Sequence, residues 1–201
     1  MKDAVLREQK DRVLEPLARS FFRSVSPNLI SFVALVPGLL SAAAIVQGEL
    51  GWGIGFWLLN RVLDGLDGVV ARIYDKQSDF GGYLDLLLDY VVYLAIPIAF
   101  VIATPTPAHL WTIIGLLAAY QINSLSWTLL SSLLEKRQSG VVGRLTSVEM
   151  PAGLIEGAET VLFYTLFFLL PAYVPWLFGV MAGLVVVTAC QRVWWAWHNL
   201  E

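Results

Sequence analysis

Long apolar stretches alternate with short polar breaks along the chain beyond residue 25. Six of these stretches reach the roughly 20 mostly apolar residues that a helix needs to cross a bilayer. They cover residues 28–48, 52–74, 80–103, 108–134, 152–171 and 174–197. The breaks contain turn-forming residues, for example Gly48 after the first stretch and Pro105 after the third. The pattern predicts an all-α integral membrane protein with six transmembrane helices.

The first 24 residues follow a different pattern. Charged residues are mixed there with apolar residues that recur at roughly helical spacing, such as Leu14, Leu17 and Phe21. We expect residues 3–22 to form an amphipathic helix on the membrane surface, with a solvated tail as the alternative. The chain is therefore divided into a cytoplasmic juxtamembrane segment, residues 1–24, and a six-helix membrane domain, residues 25–201.

Composition and charge support a bilayer environment. Of the 201 residues, 57% are hydrophobic and 14% are charged, whereas about a quarter of the residues in a soluble domain are charged. The net charge of −3 lacks the basic surplus of a nucleic-acid-binding protein, so no nucleic-acid partner is expected. The single cysteine, Cys190, excludes an internal disulfide.

Basic residues predict the orientation. Six of the 13 Lys and Arg residues precede the first predicted span. The others lie within the second span, just after the second or fourth span, or in the second half of the sixth. Such residues concentrate on the cytoplasmic side of a membrane. We therefore expect both termini to be cytoplasmic, in a multi-pass protein of a bacterial inner membrane.

Four aspartates interrupt the second and third apolar stretches. Asp64 and Asp67 are three residues apart and Asp85 and Asp89 are four apart, so each pair shares a helix face. Because a short turn joins the two helices, we expect antiparallel neighbours whose four carboxylates converge at one depth. An aspartate in the hydrocarbon costs roughly 2.5–3.5 kcal/mol, and four together repel one another. Hard divalent cations prefer carboxylate oxygens and would neutralise such a cluster.

The aspartates belong to a longer pattern. The chain contains D-x-x-D-G-x-x-A-R, then eight residues, then G-x-x-x-D-x-x-x-D. This pattern resembles the signature of the CDP-alcohol phosphotransferase family at all eight fixed positions. Those positions are Asp64, Asp67, Gly68, Ala71, Arg72, Gly81, Asp85 and Asp89.

The resemblance implies an enzyme of phospholipid biosynthesis. Such an enzyme transfers a phospho-alcohol group, here of the phosphatidyl type, from a CDP-linked donor such as CDP-diacylglycerol to an acceptor hydroxyl and releases CMP. The resemblance also implies that the four aspartates bind two Mg²⁺ or Mn²⁺ ions, that Asp89 is the catalytic base, and that the protein is a homodimer among membrane lipids. It implies donor contacts from Pro27, Asn28, Leu29, Ile30, Gly68, Ala71, Arg72, Ser78 and Gly81. A positive-inside anchor is the alternative role of Arg72.

Two glutamates near the start of the fifth predicted span are candidates for an acceptor pocket. Glu156 and Glu159 are three residues apart, and the nearby bases are Arg144 and Arg192. Either a glutamate contacts a hydroxyl or amine of the acceptor, or it pairs with Arg192 and joins the last two spans. Because carboxylates repel an anion, we expect a small or lipid alcohol acceptor without a phosphate, with a neutral or cationic head.

An ion-coupled transporter with an acidic binding site is the alternative function, since acids inside a membrane often mark ion paths. Ion binding alone does not require Gly68, Ala71 and Gly81 at fixed offsets from the acids. The pattern therefore favours the transferase.

Overall fold

The computed structural model describes residues 12–20, 22–138 and 153–200 of the chain. Every regular element in these ranges is helical, which confirms the predicted all-α fold. The helices are α1 (residues 12–20), α2 (Pro27–Val46), α3 (Leu50–Ile73), α4 (Asp79–Ala103), α5 (Pro107–Gln138), α6 (Gly157–Leu169) and α7 (Val174–Leu200), with a 3-10 turn at Pro171–Tyr173 before α7.

Four stretches have the length and apolar composition of a membrane span. They are α2, α4, residues Pro107–Arg137 of α5, and Pro171–Leu200, which contains α7. The predicted multi-pass arrangement is confirmed for these four. Helix α3 is 24 residues long but carries the charged residues of the signature, which lower its hydropathy.

Helix α6 differs from the prediction of a span over residues 152–171. It has only 13 residues, and at 1.5 Å per residue it is about 20 Å long, against roughly 30 Å of hydrocarbon. The helix starts late because Glu156 is its N-cap. The Glu156 side chain accepts a hydrogen bond from the N3 backbone, and the Glu159 side chain accepts one from the backbone N–H of Glu156 at 3.2 Å.

The chain divides into two compact units, Met1–Pro105 and Thr106–Glu201. In the first unit, α2 packs against both α3 and α4. Gly38 permits the close approach of α4, because a Cβ at this position would lie 2.5 Å from Cγ2 of Val92. The Asn60 side-chain amide donates to the carbonyl of Ala34 at 2.8 Å, which ties α3 to α2.

Helix α1 packs against the end of α3. Ala18 is fully buried and belongs to a cluster with Ile30 of α2 and Leu66, Val69 and Val70 of α3. The Lys76 ammonium, in the turn after α3, donates to the carbonyls of Arg23 and Val25 at 2.9 and 3.2 Å. The helical part of the predicted residues 3–22 is thus seen over 12–20, while residues 3–11 and 21 lie outside the described ranges.

In the second unit, α5 packs against α7. Its core is aromatic: Phe167 of α6 and Phe178 of α7 meet edge to face with ring centroids 4.9 Å apart. Arg192 of α7 is 7% exposed and donates from Nη1 to Oδ1 of Asn123 on α5 at 2.6 Å. This contact joins α5 and α7 through a buried cation.

Candidate active site

The four signature aspartates lie in the halves of α3 and α4 that flank the connecting turn. Helix α4 begins after Ser78, whose hydroxyl oxygen accepts a hydrogen bond from the backbone N–H of Gly81 at 3.0 Å. This cap fixes the first turn of α4, and Asp85 and Asp89 follow on the next two turns. The polar positions are therefore brought together at one end of a helix pair whose remaining length is apolar.

A cavity of about 210 Å³ lies beside the turn. Seven of the nine predicted donor-contacting residues line it: Pro27, Asn28, Gly68, Ala71, Arg72, Ser78 and Gly81. Two of the predicted metal ligands, Asp67 and Asp85, line it as well. The two predicted donor residues that do not line it are Leu29, which is 55% exposed, and Ile30, which is 2% exposed and packs in the cluster around Ala18.

A second, smaller cavity adjoins the first. Asp64, Asp85 and Asp89 line it together with Ser31 and Asn60. Ser31 and Asp85 line both cavities. The four carboxylates therefore lie in two adjoining cavities that share Asp85.

Each cavity contains an aspartate held by a neighbouring helix. The hydroxyl of Ser31, on α2, donates to Oδ2 of Asp67 at 2.5 Å, and Asp67 is only 4% exposed. The Arg61 guanidinium donates from Nη2 to Oδ1 of Asp89 at 2.7 Å, and its Nη1 lies 3.6 Å from Oδ2 of Asp64. These contacts fix the orientation of two of the four carboxylates.

The donor set fits a hard divalent cation in its chemistry. All four side chains offer carboxylate oxygens, which Mg²⁺ and Mn²⁺ prefer. Asp64 and Asp89 line the same cavity, and neighbouring carboxylates repel one another unless a cation lies between them. Within the described residues, no three acidic, histidine or cysteine side chains converge as coordination requires. Coordination by three or more of the aspartates therefore needs side-chain rotation.

The predicted acceptor residues are distributed differently. Glu156 and Glu159 form the capping box of α6, and Glu156 Oε1 also accepts from the backbone N–H of Gly153 at 2.7 Å. They lie at the start of a 13-residue helix rather than near the start of the longer predicted span 152–171. Arg192 contacts Asn123. Arg144 lies outside the described residues.

Sequence reasoning did not identify Ser31 and Arg61 as site residues. Ser31 follows Pro27 by four positions and therefore shares its helix face, so this spacing was available as a signal. Arg61 precedes Asp64 by three positions, but its main partner, Asp89, is 28 positions away. No local pattern indicates that partner.

Comparison with known proteins agrees with this geometry. The family model for CDP-alcohol phosphatidyltransferase matches residues 24–195. The inner membrane protein YnjF of Escherichia coli (strain K12) is 33% identical over 181 residues, which are 88% of this chain and 85% of YnjF.

Solved structures also resemble the chain. One is the phosphatidylinositol phosphate synthase of Mycobacterium tuberculosis with CDP-DAG bound, with a TM-score of 0.67 at 19% identity, covering 92% of this chain and 94% of that one. The same synthase in complex with manganese and citrate gives a TM-score of 0.66 at 20% identity, covering 92% and 88%. At this identity the likeness concerns the fold. The family match, in contrast, includes every residue of the signature and all of the helices that carry it, and the chain belongs to the CDP-alcohol phosphatidyltransferase family.

Proposed function

We propose that this membrane enzyme transfers a phosphatidyl group from CDP-diacylglycerol to an alcohol hydroxyl. It is a metal-dependent CDP-alcohol phosphotransferase of phospholipid synthesis. The observation that carries the proposal is the cavity beside the α3–α4 turn, where signature residues of two helices meet the N-terminal segment of a third.

The cavity suits a nucleotide pyrophosphate. The planar fork of Arg72 presents several N–H donors to phosphate oxygens, and Lys76 adds a second positive charge to the lining. The N-terminus of α4 also borders the cavity, and the backbone N–H groups at such a terminus favour an anion. The cavity is narrow at this end, and only glycine fits at position 81 without a close contact. A Cβ there would lie 3.0 Å from both Asn28 Oδ1 and Ser78 Oγ.

Asp64, Asp67, Asp85 and Asp89 are proposed to bind two Mg²⁺ or Mn²⁺ ions, which would offset the charge developing on the departing CMP. Asp89 accepts the proton of the acceptor hydroxyl as the acceptor oxygen bonds to the phosphorus of the phosphatidyl group. The bond between that phosphorus and the CMP oxygen breaks, and CMP leaves. Holding donor and acceptor in line supplies much of the rate enhancement.

We further propose six membrane crossings with both termini cytoplasmic. The charged α3 and the short α6 would supply the two crossings beyond the four apolar stretches, with residues 1–24 on the membrane surface and residues 25–201 as the membrane domain. A homodimer in a bacterial inner membrane is part of this proposal. Lys and Arg residues are concentrated around α1, near the α3–α4 turn and at the C-terminal end of α5. This distribution supports the cytoplasmic placement of both termini.

We propose an acceptor without a phosphate. Arg192 is buried and donates a hydrogen bond to Asn123. Less of its positive charge is therefore accessible to an anionic acceptor. The capping contacts of Glu156 and Glu159 give these residues a structural role at the start of α6.

The test is lipid synthesis by the purified enzyme in nanodiscs. CDP-diacylglycerol and Mn²⁺ are supplied with neutral alcohols, amino alcohols, inositol phosphate or glycerol phosphate, and products are identified by mass spectrometry. We expect CMP and a new phospholipid with a neutral or amino alcohol. Selective use of a phosphorylated acceptor would contradict the acceptor proposal. Ion flux in proteoliposomes with no CMP release would instead support a transporter.

A further inference from the structure

Arg61 lies at the end of the acid cluster that is farther from the α3–α4 turn. Its side chain is 10% exposed, although the signature does not include it. Nη2 donates to Asp89 Oδ1 at 2.7 Å and Nη1 donates to the Tyr93 hydroxyl at 2.8 Å. Nε and Nη2 both donate to Oδ1 of Asn60, at 2.9 and 2.6 Å.

Aromatic rings contact the guanidinium of Arg61 in addition to the hydrogen bonds that its N–H groups donate. Its central carbon lies 4.7 Å from the ring centroid of Trp57 and 5.0 Å from that of Tyr93. Such cation–π contacts stabilise a desolvated cation. Asn60 is anchored in turn by its bond to the Ala34 carbonyl of α2. Side chains of α3 and α4 therefore hold Arg61 directly, and α2 supports it through Asn60.

A cation fixed in this way restricts Asp89. The bond to Oδ1 sets the rotation of the carboxylate and leaves Oδ2 uncommitted to Arg61. The same bond keeps a counter-charge 2.7 Å from the carboxylate in a place where water is scarce. Arg61 does not line the larger cavity, so these effects are separate from donor contacts.

We propose that Arg61 is a positioning residue for the transfer reaction. It orients Asp89 so that Oδ2 is available to the acceptor proton and the metal, and Tyr93 and Asn60 orient Arg61. This inference rests on the proposed function, in which Asp89 is the base. A simpler role, neutralising the acids, differs from it in one measurable respect. Loss of a neutralising cation strengthens binding of a divalent metal, whereas loss of a positioning cation weakens it.

The test compares Arg61→Met, Arg61→Lys and Tyr93→Phe with wild type and with Arg19→Met. Arg19 is a matched control, since its guanidinium bonds to Glu15 at 2.8 Å on the exposed side of α1. CMP release from CDP-diacylglycerol gives kcat and the donor KM, with the acceptor that the lipid screen identifies. Electron paramagnetic resonance of added Mn²⁺ gives the metal affinity, and thermal unfolding in detergent reports folding.

For Arg61→Met we expect kcat to fall about 100-fold, donor KM to change less than about threefold, and Mn²⁺ affinity to fall about tenfold, because partners that orient metal ligands typically contribute 10–100-fold. Arg61→Lys retains the charge but not the fork and should recover part of kcat. Tyr93→Phe removes only the hydroxyl that orients Nη1. It should lower kcat about threefold while the protein still folds, with a small decrease in thermal stability from the lost hydrogen bond.

Unchanged or tighter Mn²⁺ binding by Arg61→Met would overturn the inference, as would a loss confined to donor KM. If Arg61→Met does not fold, Tyr93→Phe and Arg61→Lys decide, and wild-type kcat in both would overturn it. Absence of CMP release by wild type overturns the proposed function itself. Wild-type turnover with unaffected Arg61 variants overturns only the present inference.

Discussion

Two short hydrogen bonds orient two of the four acid side chains of this site. Ser31 donates to Asp67 at 2.5 Å and Arg61 donates to Asp89 at 2.7 Å. In each case the donor comes from a different helix than the carboxylate it holds. Ser31 and Arg61, which the signature does not include, thus orient two residues that it does include.

Ser31→Ala is expected to release Asp67 and lower CMP release about tenfold, since a hydrogen bond to a charged group contributes about 1.5–3 kcal/mol. Ser31→Thr retains the hydroxyl and should keep most of the activity. Ser41→Ala is the matched control on the same helix, because the Ser41 hydroxyl donates to the Gly53 carbonyl at 2.8 Å and lines neither cavity. Equal losses of activity in Ser31→Ala and Ser41→Ala would show that Ser31 acts only through helix packing.

At the scale of the elements, α2 determines how closely the helices around the site pack. It packs against both acid-bearing helices, and Gly38 sets its distance from α4. An added Cβ would meet Val92 Cγ2 at 2.5 Å and Asn60 Nδ2 at 3.1 Å. Val92 is buried and β-branched, so its side chain cannot easily rotate away.

Gly38→Ala is therefore expected to lower the thermal unfolding midpoint in detergent by up to roughly 8 °C. Overpacking costs about 1–3 kcal/mol, the gain in helix propensity offsets roughly 1 kcal/mol of it, and each net kcal/mol shifts the midpoint by roughly 2–4 °C. The double variant Gly38→Ala with Val92→Ala should recover part of the loss. Gly115→Ala, where an added Cβ meets nothing within 4 Å, should not lower the midpoint. No recovery in the double variant would contradict the steric explanation.

The elements also show what could be predicted from sequence. The predicted stretches 28–48 and 80–103 correspond to Pro27–Val46 and Asp79–Ala103, because apolar length and turn residues are local signals. The stretch 152–171 was too long because the capping glutamates of α6 lie inside an otherwise apolar window. The bond from Arg61 to Asp89 was not predictable, since it depends on how two helices pack and not on the spacing within either.

At the scale of the whole molecule, the signature residues all lie in the first compact unit, Met1–Pro105. This unit brings eight fixed positions and their supporting residues to one end of α3 and α4. The second unit, with α5, α6 and α7, contains the described candidates for acceptor contact. Donor chemistry can therefore be studied by substitutions within the first unit alone, in the full chain.

Removal of divalent metal should abolish transfer. We expect CMP release to fall to background after chelation and to return with Mg²⁺ or Mn²⁺, because the four carboxylates repel one another without a cation. Ca²⁺ should restore little activity, since it prefers longer and less regular coordination. Unfolding before and after chelation checks that the fold persists. Full CMP release after thorough chelation would contradict the metal proposal.

The sharing of Ser31 and Asp85 between the two cavities has an evolutionary consequence. A substitution at either position would alter nucleotide binding and acid geometry together, so selection could not adjust one property without affecting the other. Residues that line only the larger cavity, such as Asn28 and Gln77, are free of this constraint. Divergence in donor preference among relatives should therefore accumulate first at positions that line only the larger cavity, while Ser31 and Asp85 change slowly.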